Sequence, residues 1–498
     1  MFLLLSLLLL PISLFFLLKK QKPNPNNKPP GPKGLPIVGN LLQLDNTNIQ
    51  KYLWQLSKKY GPLISLKLGF KQTLIVSSAK MAEQVLKTQD LDFCSRPHFS
   101  GQQKLSYNGL DLAFAPYDNY WKEMRKICVV HLFNSNRNKN FRPMREDEVS
   151  RMIRNISERA FDSKPVNLTE ETVNLASSII RRAAFGKRYK DGESEAKRFH
   201  ELITETEALL SAVFFSDYFP YIGWIVDKMS GLRSRLEKNF QEFDVFYQEI
   251  IDEHSDPERE KPEYDDNILD ALLQIRKDQS FKIQVTFDHI KAILMNVFVA
   301  GTDTSAASVV WAMSLLMKNP QTMTKAQQEI RTLIGKKGFV NEDDIQHLPY
   351  LKAVVKETAR LQPTVPLLLP RGTVKNCSLG GYDIRKNTLV YVNAWAIGRD
   401  PETWEKPLEF CPERFLDSDM DMRGQDYELI PFGAGRRICP GMYIGIANVE
   451  LSLANLLYKF DWEMPCGMKR DDIDVDSVLP GIAVHKRDHL LLVAKNYI

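Results

Sequence analysis

Residues 432–441 read FGAGRRICPG, and they constrain this chain more than any other stretch. Phe432, Gly435, Arg437, Cys439 and Gly441 fit the pattern F-x-x-G-x-R-x-C-x-G. A chain of this length meets that pattern by accident on the order of once in ten thousand. The residue types suit a loop that presents one cysteine thiolate to a haem iron. A thiolate ligand pushes electron density onto the metal and favours O–O cleavage. Gly435 and Gly441 permit a tight turn and a close approach of backbone to porphyrin. Loop N–H groups can hydrogen-bond the sulfur. Arg437 can pair with a propionate, and Phe432 can keep water from the sulfur. Taken alone, the stretch also reads as a glycine-rich surface loop with one buried cysteine.

Three further patterns lie upstream. Residues 300–305, AGTDTS, sit in an apolar helical pattern from about 287 to 318 that stops at Asn319 and Pro320. Val297, Ala300, Gly301 and Thr304 recur at i, i+3, i+4 and i+7, so they share a face of small residues. Gly301 weakens the helix by about 1 kcal/mol relative to alanine. Thr304 can bond a carbonyl one turn back and widen the helix, and Asp303 beside it can relay protons. Glu357 and Arg360 form E-x-x-R, three apart on a helix and able to pair. Trp121 and Arg125 form W-x-x-x-R, able to hold one haem propionate from a shared helical face.

Together with PERF at residues 412–415, these patterns resemble, in the same order, the haem-thiolate monooxygenases, the cytochromes P-450. The resemblance implies a mainly α fold with a small β lobe, one large catalytic domain over residues 37–498. It implies haem b with Cys439 as axial ligand, and Thr304 and Asp303 as catalytic residues. It places Arg371 on the second propionate and joins Arg414 to Glu357 and Arg360 in a buried structural network. Electrons would come from NADPH through a membrane-bound NADPH–cytochrome P-450 reductase, docked near Lys122 and Lys126. The pocket positions it implies are Phe114, Phe215, Asn296, Val297, Ala300, Gly301, Val365, Leu369 and Ile482. They are mostly apolar, which suits a hydrophobic small molecule reacting with O2. Asn296, the polar exception, is expected to orient it.

KTQD at 87–90, FFSDYFP at 214–220, AWAIGRD at 394–400 and GQDY at 424–427 are similar to the large plant group of specialised metabolism, and within it to the aldoxime-metabolising branch. A terpenoid, alkaloid, phenolic or amino-acid-derived substrate follows. A reductase-independent haem-thiolate isomerase or dehydratase is the rival enzyme class, and the Asp303–Thr304 pair argues against it. A non-catalytic haem protein is the third class.

Residues 1–18 are apolar and uncharged, and Lys19, Lys20, Lys22, Lys28 and Lys33 follow. Eighteen residues are near the minimum for a membrane span. No basic n-region or small-residue cleavage site marks a signal peptide, so an uncleaved anchor is favoured. The lysines place the catalytic body in the cytosol, and the family resemblance implies the endoplasmic reticulum membrane. Residues 19–36 read as a basic, proline-rich hinge. Lys and Arg number 66 against 62 Asp and Glu, too balanced for nucleic acid. Six cysteines without a C-x-x-C pair make neither a zinc site nor a disulfide scaffold.

Overall fold

The computed structural model describes residues 27–162, 164–186, 194–259, 267–278 and 280–497. The expected membrane anchor, 1–18, lies outside the described residues. The longer helices are α1 (Ile49–Tyr60), α2 (Asn119–His131), α3 (Arg142–Phe161), α4 (Leu168–Phe185), α5 (Ser194–Ser211), α6 (Leu232–Ser255), α7 (Ile268–Lys277), α8 (Phe287–Lys318), α9 (Pro320–Ile334), α10 (Pro349–Leu361) and α11 (Met442–Lys459). Strands β1 (Leu63–Leu68), β2 (Lys71–Val76), β3 (Arg371–Gly372) and β4 (Leu389–Val392) form a sheet in the order β1-β2-β4-β3. A C-terminal hairpin pairs β5 (Val478–Leu479) with β6 (His485–Lys486).

Helix α8 organises the body. Among the described residues it alone is long and apolar enough to cross a membrane, but most of it is buried in protein. Its apolar residues run nearly all round, as a core helix requires. The Phe298 ring lies 4.9 Å from Phe185 of α4 and 4.7 Å from Phe199 of α5. A β-carbon on Gly301 would come within 2.4 Å of Ile180 Cδ1, so Gly301 also makes room for the Ile180 side chain of α4. Gly301→Val is expected to cost about 1–3 kcal/mol through overpacking, read as a lower Tm of the haem-loaded protein. Pro320 ends α8 and opens α9 at its first helical position, where its missing N–H costs nothing.

The β1–β2 hairpin sets Leu63 opposite Val76, with Gly69 at φ 58° in the turn. Residues 28–34 carry no helix and are bonded to β1, where Ser65 N–H donates to Pro30 O at 2.8 Å. Asp383 N–H, in a separate small hairpin, donates to Asn27 O at 2.8 Å. Helix α7 begins at the Asn267 cap, whose Oδ1 accepts from Asp270 N–H at 2.8 Å.

The E-x-x-R pair forms as expected. Glu357 and Arg360 are fully buried, with Arg360 Nε 2.7 Å from Glu357 Oε2 and Arg360 Nη2 2.7 Å from Oε1. Arg414 Nε reaches Glu357 Oε1 at 3.1 Å. Arg360 also donates to the carbonyls of Gly398, Pro407 (2.8 Å) and Glu409 (2.9 Å). The pair thus ties α10 to the loop that carries PERF.

Candidate active site

Cys439 stands three residues before α11, at the wall of an internal cavity of about 700 Å³. Its N–H donates to Phe432 O at 3.0 Å, closing the loop on itself. Burial pushes its thiol up, and the Gly441 N–H on the sulfur and the charge of Arg125 oppose that. Gly435 has φ 68°, and a side chain there would meet Leu86 O at 2.0 Å. Its close approach is therefore to protein backbone. Gly441 has an ordinary φ of −88° and open space where a β-carbon would stand, so it cradles whatever fills the cavity. Phe432 lines the same wall.

Four arginines, Arg96, Arg125, Arg371 and Arg437, border the cavity. Arg437 Nε, Nη1 and Nη2 donate to the carbonyls of Cys94 (3.0 Å), Leu112 (3.3 Å) and Ala115 (2.7 Å). Arg125 donates to Ile438 O. Arg371 Nη1 lies 3.4 Å from Asp90 Oδ1. Burial, then the neighbouring arginines, hold the Arg96 and Arg437 guanidinium groups below their ordinary values, Arg437 at about 9. Four cations answered mainly by carbonyl oxygens leave positive charge in excess. That donor set beside a cysteine fits a dianion such as the two propionates of haem. Arg96 belongs to none of the sequence patterns. Its place follows from the chain path, with Nε donating to Ala113 O at 2.7 Å and Nη1 to Leu369 O at 2.9 Å and Pro370 O at 2.8 Å.

Trp121 departs from expectation. Its indole N–H donates to Leu112 O at 3.0 Å and is not available to a propionate. Its ring instead lies 4.0 Å from the Arg437 guanidinium, which it supports by a cation–π contact.

Across the cavity, α8 presents Asn296, Val297, Ala300, Gly301, Asp303 and Thr304. Thr304 Oγ1 donates to Ala300 O at 2.7 Å, as expected, yet α8 stays α-helical throughout, without a widened turn. Phe114, Val365, Leu369 and Ile482 complete the apolar walls. Phe215 does not join them. Its N–H is held at 2.6 Å by Asp227 Oδ1, and its ring turns outward, 41% exposed, against Phe219.

Asn296 also departs from expectation. Its Oδ1 accepts from the N–H groups of Leu112 (2.9 Å) and Ala113 (3.2 Å), and its Nδ2 donates to Asp111 Oδ2 at 2.8 Å. Both ends of the amide are committed, so it clasps the loop that carries the carbonyls of Leu112 and Ala115. Asp111, fully buried, further accepts from Phe114 and Ala115 N–H. Burial still pushes it up to about 6. Asn296→Leu is expected to cost about 2–4 kcal/mol by stranding these groups and to loosen haem. A role in substrate orientation alone would change KM and leave Tm unmoved.

Other polar residues on the cavity wall also carry no sequence signature, Asn448, Glu207 and His485 among them. Asn448 of α11 is buried, and neither amide atom has a partner among the described residues. Glu207 of α5 faces Asp303, and His485 Nε2 lies 2.8 Å from Asp303 Oδ2. Burial and the opposed Asp303 hold the Glu207 carboxyl well above the ordinary carboxylate range.

A mainly helical body closed around a cysteine loop, ringed by arginines and faced by a threonine-bearing core helix, defines a haem-thiolate enzyme. The chain belongs to the cytochrome P450 family, whose profile, described as Cytochrome P450, matches residues 29–493. It is 51% identical over 498 residues to 5-OH-xanthotoxin synthase of Pastinaca sativa, covering 98% of this chain and 97% of that one. It is 51% identical to 6,7,8-trihydroxycoumarin synthase of the same plant, covering 94% and 93%. A zebra fish cytochrome P450 solved with progesterone superposes with a TM-score of 0.76 at 26% identity, covering 90% of this chain and 99% of that one. The chain is thus a monooxygenase of plant secondary metabolism, and family and fold imply haem iron with a cysteine thiolate ligand, O2 and a redox partner.

Proposed function

We propose that this enzyme uses NADPH and O2 to hydroxylate a flat, oxygenated aromatic substrate of the coumarin or furanocoumarin type. The observation that carries the reading is the apolar cavity shared by Cys439 and the small-residue face of α8. The names of the two Pastinaca relatives, matched over nearly their full lengths, supply the substrate class. Haem, bound through Cys439 with its propionates toward Arg96, Arg125, Arg371 and Arg437, would supply activation of dioxygen. The remaining work falls to the chain. Phe114, Val297, Ala300, Val365, Leu369 and Ile482 bind the ring system and exclude water. Thr304 holds a proton at Oγ1 above the small-residue face. Asp303, one residue before it, moves protons inward. Phe432 and the closed loop keep water from the sulfur.

An apolar surface supports attachment to the endoplasmic reticulum membrane, with the catalytic body in the cytosol. Ile37, Phe70, Tyr221, Ile222, Trp224 and Met229 are exposed. Gly69 N–H donates to Val38 O at 3.1 Å and Phe70 N–H to Tyr218 O at 2.9 Å, which brings these residues onto one face beside the first described residues. Lys122 and Lys126, exposed on α2, offer a docking surface to the NADPH-fed reductase.

The test is product analysis in microsomes that co-express the chain and a plant reductase. Xanthotoxin and a dihydroxycoumarin are offered with and without NADPH, beside an amino-acid-derived aldoxime as the arm favoured by the scaffold phrases. NADPH-dependent gain of one oxygen on a coumarin is the expected result. Turnover of the aldoxime alone, by enzyme with an intact thiolate-type ferrous–CO spectrum, overturns the substrate class. Turnover without NADPH overturns the monooxygenase reading.

A further inference from the structure

We propose that Glu207 and Asp303 share one proton across the cavity wall, and that His485 is the entry through which that proton is replaced. Glu207 and His485 are then positioning residues for proton delivery. The inference rests on the reading of Asp303 as a proton relay and extends it to two elements that no motif marks.

Three separate parts of the fold converge here. Glu207 comes from α5, Asp303 from α8 and His485 from β6, and all three line the cavity. Glu207 Oε1 is sealed from solvent and has no donor among the described residues. The charged group that acts on Glu207 is another carboxylate, Asp303, in hydrogen-bond contact with it. Two half-buried carboxyl groups in contact, one with an oxygen sealed from solvent, resist ionising together, so a proton held between them resolves the arrangement. Charged groups around α5 are occupied with each other, Glu205 of α5 with Arg235 of α6 at 2.9 Å and Lys104 with Glu237 of α6 at 2.9 Å.

His485 holds Asp303 from the other side, at 2.8 Å, and is itself partly exposed. The hairpin that carries it is fixed to α8 by Trp311 Nε1 donating to Val484 O at 3.2 Å. It is fixed to the loop after α10 by Val484 N–H donating to Thr364 O at 2.7 Å. As Asp303 releases the shared proton toward Thr304, His485 Nε2–H passes one to Asp303 Oδ2, and solvent returns one at Nδ1. One proton moves from solvent to cavity and no electron moves with it.

The test reads product formed per NADPH consumed, as a function of pH, in the reductase-coupled microsomes. Glu207→Gln, Glu207→Asp, His485→Gln and Asp303→Asn are each checked first for an intact thiolate-type ferrous–CO spectrum. In the parent enzyme the shared proton stands ready at the pair, so coupling varies little between about pH 6 and 8.5, limits set by the assay. In Glu207→Gln no proton is stored beside Asp303, and supply depends on uptake from solvent through His485. Coupling then falls about fivefold or more between those limits, and Glu207→Asp restores the flat profile. His485→Gln keeps a donor to Asp303 but cannot pass a proton, so coupling drops at every pH and the solvent hydrogen isotope effect rises. A merely structural role would lower Tm without bending the pH profile. If Asp303→Asn uncouples turnover while Glu207→Gln and His485→Gln match the parent in profile and isotope effect, the proposal is overturned and the Asp303 reading survives. If Asp303→Asn also matches the parent, both fall.

Discussion

Cys439→Ser abolishes the thiolate-type ferrous–CO spectrum and lowers coupled turnover on the order of a thousandfold or more, equivalent to about 4 kcal/mol of barrier. The serine keeps the loop, because the bond that closes it runs from the backbone N–H of residue 439 to Phe432 O. What it removes is the electron-donating sulfur, the feature that favours O–O cleavage. The arginines that border the cavity stay in place, so haem binding is expected to weaken without vanishing. Spectra and turnover on one preparation separate the two effects. Cys94, Cys128, Cys377, Cys411 and Cys466 provide the control, since none lines the cavity.

Arg360→Leu is the second large effect. It leaves the buried Glu357 carboxylate with only Arg414 and the Cys411 N–H on Oε1 and strands the carbonyls of Gly398, Pro407 and Glu409. Breaking a buried pair in this way costs about 3–5 kcal/mol. We expect a loss of that size in thermal stability and poor recovery of haem-loaded protein. Arg360→Lys should not rescue it, because an ammonium cannot reproduce the two-pronged contact with Glu357. The double variant Glu357→Leu, Arg360→Leu should lose less than the sum of the single variants, since each single leaves an uncompensated charge. Additive losses would argue that the pair is not coupled.

The features legible in the sequence were those fixed by short-range spacing. A helix places positions three or four apart on one face, so the Glu357–Arg360 pair and the bond from Thr304 to Ala300 could be read directly. The cysteine loop was legible because its five fixed residues fall within ten positions, though the approach Gly435 permits is to Leu86 O and not to porphyrin. Asn296 does line the cavity, but its partners, like that of Trp121, lie in residues 111–113, whose path no spacing encodes. Phe215 was misplaced because a short turn held by Asp227 rotates it outward. Arg96, Glu207 and His485 were missed for the same reason. Each gains its role from a residue roughly a hundred or more positions away, or from a loop crossing, and carries no local pattern.

The most direct test of the account supplies the enzyme with xanthotoxin, NADPH and isotopically heavy dioxygen in ordinary water, and weighs the product. The account predicts a hydroxylated furanocoumarin carrying one heavy oxygen from dioxygen, formed only when NADPH and the reductase are present. A product whose new oxygen comes from water, or one formed equally well without NADPH, would contradict it.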